Sequence, residues 1–496
     1  MKQLSGLDAV FLAAEDDHQF THVCQLVVLD RPDDDFDPYT AWRRQLADRL
    51  HLLEPLRRRL VEVPFGLDHP YWIEDPDFDL DFHVRHSAVP PPGTDEQLDE
   101  LVGRLVAAPL DRDHPLWTSH VIEGLAPSED GTGRFAILTM VHHSAVDGAS
   151  GAELLALMLD DTPDAETPAD AGNWTPEPEP GVGGLLGRAA LHGFARPGRA
   201  LLLAAETGQR VARATREPSV IALADRVRSG LRGPVGNLLN LGRRHDPDQD
   251  PPRLPVVPAP ATPFNAHISR YRRFARRSMP LDEVKAIGKA SGATINDVVV
   301  ALCAGGLRRW LLDHDALPDA PLSAMIPVSL RTGEESDTWT NRVSGTVASL
   351  PTDIADPLER LAAAHQALET GKALFAATPA ALAPEGAELG NPAVSTLISR
   401  ATTRWVTSYV LPFNVIVSNV PGPREPLYMA GARARHYYPV SAIADGQGLN
   451  ITVQSYAGSL DLGLIACARL MPDLADLADA VLEEFALLRA RVGATA

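Results

Sequence analysis

TMVHHSAVDGAS, Thr139 to Ser150, sets two adjacent histidines, an aspartate and a glycine behind a short apolar run. Three kinds of chemistry would use such a group: a metal site, a general base at a strand end, or a turn whose histidines only pack. A metal is disfavoured. Neighbouring side chains of an extended chain point to opposite faces, so His142 and His143 do not readily reach one ion. No HExxH and no cysteine partner accompanies them. A lone histidine would be read as a core residue with a satisfied hydrogen bond. Here one imidazole can face a cavity while the other points inward, Asp147 can fix the turn, and Gly148 leaves room for close approach of backbone or ligand. A free imidazole, with a pKa of ~6.5, is suited to take a proton from a hydroxyl at neutral pH.

The elements that must position this group are legible in outline. VCQLVVLD (Val23–Asp30) and RFAILTMVHHS (Arg134–Ser144) read as strands, and FDPYTAWRRQLADRLHLLEPLRRRL as one helix. ASGAELLALMLDD after Gly148 has helical spacing. Asp161–Gly184 is rich in Pro, Asp, Glu and Gly and reads as a linker. An arginine-dotted helical segment follows from Leu185, either as a connecting helix pair or as a face for anionic lipid. A second α/β region then opens with the strand-like ISRYRRFARRS. LDEVKAIGKASG and TINDVVVALCAGGLRRWLLDH read as helices, four strand-like segments follow, and PDLADLADAVLEEFALLRARV closes as a helix. This divides the chain into 1–180, carrying the histidines, a crossover at 181–262, and 263–496.

Composition bounds the function. The chain has 496 residues, 45% of them hydrophobic and 22% charged, which fits two cores rather than one. A formal charge of -20 argues against general nucleic-acid binding. No apolar run approaches the roughly 20 residues that span a bilayer. The first residues lack a basic segment followed by an apolar one, so no secretory signal is expected. Cys24, Cys303 and Cys467 match no metal or redox spacing, and a reduced, cytoplasmic setting suits them.

HHxxxDG is similar to the active-site motif of acyltransferases with the chloramphenicol acetyltransferase-like fold, among them peptide-synthetase condensation domains. LSGLDAVFLAAED, PLDRDHPLW (Pro109–Trp117), GATINDVVVALCAGGLRRWL, MIPVSLRTG, SNVPGP (Ser418–Pro423) and LNITVQSYAGSLDLGL narrow the resemblance. In order and over nearly the whole chain, they resemble the bacterial wax ester synthase/diacylglycerol acyltransferase family. The resemblance implies an α/β (α+β) fold of two chloramphenicol acetyltransferase-like subdomains, each a mixed sheet with helices, with the active-site channel at their interface. It implies transfer of a long-chain acyl group from acyl-CoA, as co-substrate and with no permanently bound cofactor, to diacylglycerol or a long-chain alcohol. The alternatives are an amide-forming condensation reaction and a non-catalytic lipid-binding member of the fold.

By the same resemblance His143 is the general base, and no GxSxG elbow suggests an acyl-enzyme. His142 is either packing or a second catalytic group. Asp147 is expected to pair with Arg331, with Gly148 acting sterically. Asn296 and Asp297 match a family motif, yet with Thr294 they also stand where a helix start needs caps; a role for Asn296 at the thioester stays open. Arg270 and Arg272, expected to share a strand face, either hold coenzyme A phosphates or are solvated. Trp117 is read as core. The expected setting is cytoplasmic, at most peripheral to a membrane or lipid droplet.

Overall fold

The computed structural model describes residues 1–146, 154, 157–165, 176, 178–192, 259–329, 343–377 and 413–495. It is a mixed α/β fold built on two six-stranded sheets and a small three-stranded one.

The first half runs β1 (Lys2–Gln3), α1 (Gly6–Ala14), β2 (His22–Asp30), α2 (Pro38–Arg49), α3 (Glu54–Arg57), β3 (Arg58–Val61), β4 (Tyr71–Glu74), α4 (Leu80–His83), β5 (Val84–Ala88), α5 (Asp95–Leu105), β6 (Trp117–Leu125) and β7 (Arg134–His142). Caps explain the helix starts. The Ser5 hydroxyl accepts the Asp8 amide at 3.1 Å. Asp37 accepts two amides ahead of Pro38, whose missing N–H costs nothing at a first-turn position. The single helix expected from Phe36 to Leu60 is not what forms. It ends at Arg49, and the chain beyond Arg57 becomes β3, because Arg58–Val61 can pair with β4 in register from Arg58 with Glu74 to Val61 with Tyr71.

The second half contains β8 (Arg272–Pro280), α6 (Leu281–Ser291), α7 (Ile295–Asp313), β9 (Leu322–Ser329), β10 (Val343–Leu350), α8 (Pro357–Ala377), β11 (Val415–Val420), β12 (Tyr428–Met429), β13 (Ala432–Val440), β14 (Leu449–Tyr456), β15 (Ser459–Cys467) and α9 (Leu474–Thr495). Gly292, at φ +67°, stops α6, and a reciprocal box between Thr294 and Asp297 starts α7. No single helix among the described residues is long and apolar enough to cross a membrane.

The second sheet has the order β10-β9-β11-β14-β15-β8, and the first β12-β13-β2-β7-β6-β5. Two strands late in the chain therefore complete the first sheet. β13 pairs antiparallel with β2, placing Val440 opposite Cys24. The division at residue 263 thus does not coincide with the sheets: 428–440 belong with the N-terminal strands. This crossover brings the sheets together. A β-carbon on Gly463 of β15 would lie 1.9 Å from the Pro439 carbonyl oxygen of β13. One apolar cluster spans the seam, joining Leu26, Leu138 and Met140 to Phe274, Ile465 and Cys467. Alongside it Arg276 of β8 reaches Asp99 and Asp95 of α5 at 2.7 and 2.9 Å.

Candidate active site

β7 delivers the two histidines to the end of the first sheet. Every residue from Phe135 to His142 is buried, as the apolar run requires. The ladder with β2 sets His142 opposite His22, and it extends one step further: the His143 amide donates to the Thr21 carbonyl at 3.0 Å. Opposite-facing neighbours are what this extended geometry dictates.

His142 points inward and is 1% exposed. Its Nδ1 accepts the Ser144 amide at 3.0 Å, so in the neutral ring the proton resides on Nε2. Nε2 lies 3.0 Å from the Thr21 hydroxyl and 3.2 Å from the Glu15 carboxylate. Its backbone N–H donates to the Leu116 carbonyl at 2.9 Å. Each polar atom of this ring is thus held by the protein.

His143 is half-buried. Its ring lies against Phe11 of α1, with centroids 4.1 Å apart and planes 14° from parallel. The same segment carries Glu15, just past the end of α1. Burial alone would raise the Glu15 carboxyl, but hydrogen bonds from His142, the Thr21 amide and Arg112 hold it down, at about 2. Arg112 donates to Glu15 at 3.0 Å and to the Leu12 carbonyl at 2.8 Å. The loop from Glu15 to Thr21 is gripped from the second half as well. Arg272 donates to the His18 carbonyl at 2.6 Å, and the Asp445 amide to the Gln19 side chain at 3.0 Å. The histidine end of β7 therefore sits beside the seam between the two halves.

The other expected site residues divide into three groups. Asp147, Gly148 and Arg331, and with them the expected Asp147–Arg331 pair, lie outside the described residues. At the start of α7 the cap is made by Thr294 and Asp297 alone. Each accepts the other's backbone amide, at 3.2 and 2.7 Å, and Asp297 also bonds His365 at 2.8 Å. Asn296 is half-buried beside them and takes no part in that box.

The arginines do not form the expected common face. Arg270 is exposed and precedes β8, whereas Arg272 is buried, donating to the carbonyls of Ser269 and His18 with its guanidinium over Phe20. Burial lowers the Arg272 guanidinium to about 10. Its donors serve the fold. Trp117 is core, as expected, donating from its indole to the Leu56 carbonyl at 2.7 Å. In SNVPGP the Gly422 amide donates to the Ser455 hydroxyl at 3.2 Å and the Pro423 carbonyl accepts the Ala457 amide at 3.0 Å, which fastens this turn to the β14–β15 hairpin.

Phe11, Glu15, Thr21, Arg112 and Ser144 were not singled out by sequence reasoning. Glu15 is one of three consecutive acids, and nothing local separates it from Asp16 and Asp17. Only the contact with a residue far along the chain does so. What the arrangement can do is clear from its parts. One imidazole is consumed by internal bonds, and a second is half-buried and stacked on an aromatic ring.

Comparison with known proteins identifies the family and the fold. The wax ester synthase/diacylglycerol acyltransferase catalytic domain matches residues 4–299, and the C-terminal domain of the same enzymes matches 339–489. A Mycobacterium tuberculosis protein provisionally named a diacylglycerol O-acyltransferase is 37% identical over 471 residues, covering 94% of this chain and 93% of its own. A second, from the same organism, is 37% identical over 474 residues, covering 95% of each chain. The solved structure of a wax ester synthase/diacylglycerol acyltransferase from Marinobacter aquaeolei VT8 superposes with a TM-score of 0.65 at 30% identity, over 99% of this chain and all of that one. The first condensation domain of the CDA synthetase shares the fold, with a TM-score of 0.54 at 17% identity over 99% and 96% of the two chains. The chain belongs to the wax ester synthase/diacylglycerol acyltransferase family.

Proposed function

We propose that His143 is the general base with which this acyltransferase moves a long-chain acyl group from acyl-CoA to the hydroxyl of diacylglycerol. Acyl transfer to diacylglycerol or a long-chain alcohol is the activity of the family, and it implies acyl-CoA as co-substrate. The proposal lies in the residue and in the acceptor. The observation that supports the residue is the asymmetry of the pair: His142 is sealed and bonded at both ring nitrogens, whereas His143 is half-buried at the seam.

In this reading an imidazole nitrogen of His143 takes the proton of the acceptor hydroxyl as its oxygen attacks the thioester carbonyl. The tetrahedral intermediate collapses with cleavage of the C–S bond. The imidazolium returns the proton to the departing thiolate, leaving an ester and free coenzyme A. General-base assistance is worth about 10²–10⁴-fold. No covalent acyl-enzyme is needed. Asn296 is proposed to orient the thioester or its oxyanion, since the cap leaves its side chain uncommitted.

Docking on a bilayer or lipid droplet is proposed too. Residues 182–192 are helical, with Val182 and Leu191 61% and 70% exposed. Exposed apolar side chains on a helix suit an interface. Flotation with anionic liposomes, with and without residues 182–216, tests this; equal flotation rejects it.

Radiolabelled palmitoyl-CoA offered with diolein, hexadecanol or a long-chain amine tests the reaction. Triacylglycerol formation, abolished in a folded H143A variant, is expected. Turnover of H143A at the wild-type rate removes the base assignment, and wax ester formation alone removes diacylglycerol as acceptor.

A further inference from the structure

Two sequence motifs with no assigned chemistry converge on one ring of the histidine motif. LSGLDAVFLAAED supplies Glu15, PLDRDHPLW supplies Arg112 and the Leu116 carbonyl, and HHSAVDG supplies His142. We propose that Arg112 and Glu15 are positioning residues for the reaction: they fix the tautomer of His142, and His142 in turn fixes the backbone on which His143 is carried.

The argument runs through hydrogen-bond polarity. A neutral imidazole has one donor and one acceptor nitrogen. The carboxylate of Glu15, 3.2 Å from Nε2, accepts only, so it favours the proton there. That leaves Nδ1 free to accept the Ser144 amide at 3.0 Å. The alternative tautomer would set a nitrogen lone pair against the carboxylate and an N–H against the Ser144 amide, leaving it only the hydroxyls of Ser144, 2.7 Å from Nδ1, and Thr21, 3.0 Å from Nε2. The carboxylate and amide contacts would be lost within a buried site, where unmade hydrogen bonds are costly. Ser144 and the Leu116 contact bracket the peptide on either side of His143. Thr21 adds a second link, since its carbonyl accepts the His143 amide and its hydroxyl meets His142 Nε2 at 3.0 Å. Arg112, at 3.0 Å, holds the Glu15 carboxylate in place and charged.

Neither residue touches the reacting atoms in this scheme. Their removal displaces His143 without changing its chemistry. Displacements of about 1 Å in a reacting group cost up to roughly 10²-fold in rate.

The inference rests on His143 being the base, but its test does not depend on that. Histidine ¹⁵N spectra of the full-length protein report tautomers directly, and the His142 signals are assigned by their loss in H142N. Wild type is expected to show His142 in the Nε2–H form alone. E15Q, whose amide can donate as well as accept, is expected to show both tautomers. Its kcat should fall about 10- to 100-fold, with KM within about threefold of wild type and the acid limb of the kcat/KM profile unmoved. E15D should recover part of the kcat. In an H142N background, where the asparagine oxygen still accepts the Ser144 amide, E15Q should cost nothing further. If E15Q does not fold, R112Q gives a milder version of the same two readouts. Wild-type kcat in E15Q, a single Nε2–H tautomer that survives E15Q or R112Q, or additive losses in the double variant would each overturn the relay. Full activity in H143A with mixed tautomers in E15Q would instead overturn the base assignment and leave the tautomer control standing.

Discussion

Phe11 lies flat against His143, its ring 4.1 Å from the imidazole and 14° from parallel. Stacked rings contribute about 0.5–1.5 kcal/mol beyond their buried area, and here the contact orients the side chain proposed as the base. Phe11 to Leu keeps the bulk and loses the flat face, whereas Phe11 to Ala loses both. The expected order of kcat with diolein is wild type, then F11L, then F11A, with F11A down by about tenfold, the equivalent of 1.4 kcal/mol. Equal rates in all three would show that the stack has no part in placing His143.

The charge on Glu15 gives a stability signature separate from the rate. Its carboxyl is held at about 2, against 4.5 for the free group, and the side chain is 14% exposed. Because the folded value is the lower one, the stabilisation is complete above about pH 4.5 and is lost as the pH falls toward 2. The shift corresponds to something on the order of 3 kcal/mol. Urea denaturation of wild type and E15Q should therefore show a gap that is constant from pH 5 to 7 and narrows at lower pH. A gap that stays constant down to pH 3 would show that Glu15 is not held charged by its partners.

What could be read from the sequence, and what could not, divides along the range of the interactions. β2, β7, β8, α6, α7 and α9 carry their own signals, as apolar runs, caps and a terminating glycine. β13 does not. ARARHYYPV alternates arginines with small residues behind a glycine, and only its partner β2, some 400 residues away, makes it a strand. The histidine pair was legible because its neighbours in sequence are its neighbours in space. Glu15 was not, since its meaning comes from residue 142. The basic run ISRYRRFARRS misled in an instructive way. Alternation along β8 turns Arg272 and Arg276 inward, to carbonyls and to Asp95 and Asp99, so two of the five arginines of this run are structural.

Two further buried histidines should set the acid stability of the fold. His22 donates from Nε2 to the Val106 carbonyl at 2.9 Å, and His83 likewise donates from Nδ1 to the Trp117 carbonyl at 2.8 Å. Burial lowers each ring from 6.5 to about 4. The folded values are depressed, so the neutral rings contribute stability above pH 6.5 that is lost as the pH falls to 4. The slope reaches about 1.4 kcal/mol per pH unit for each ring. His83 is stacked on Trp117 at 4.4 Å, which a phenylalanine can imitate without titrating. H83F should be less stable than wild type at pH 8, by about 1 kcal/mol for the lost hydrogen bond, and the difference should shrink or reverse by pH 5. A deficit that does not change between pH 8 and pH 5 would mean that His83 does not titrate on unfolding in this range.

The seam makes its own prediction, because Gly463 of β15 lies against the Pro439 carbonyl of β13. A β-carbon there would stand 1.9 Å from the Pro439 carbonyl oxygen, and the obstructing atom is backbone, so β13 itself must move. β13 pairs with β2, and β2 with β7, which ends in the histidines. G463A should therefore cost at least about 1–3 kcal/mol, the usual penalty of overpacking, and should lower kcat with diolein in the fraction that remains folded. G187A is the control. It places the same methyl on the 182–192 helix, where nothing lies within 4 Å, and a helical alanine in place of glycine should be neutral or slightly stabilising. Thermal unfolding and initial rates of the two variants, measured side by side, separate the outcomes. If G463A matches G187A in both, the sheets do not meet at Pro439 and the seam cannot be what holds the histidine end of β7 in place.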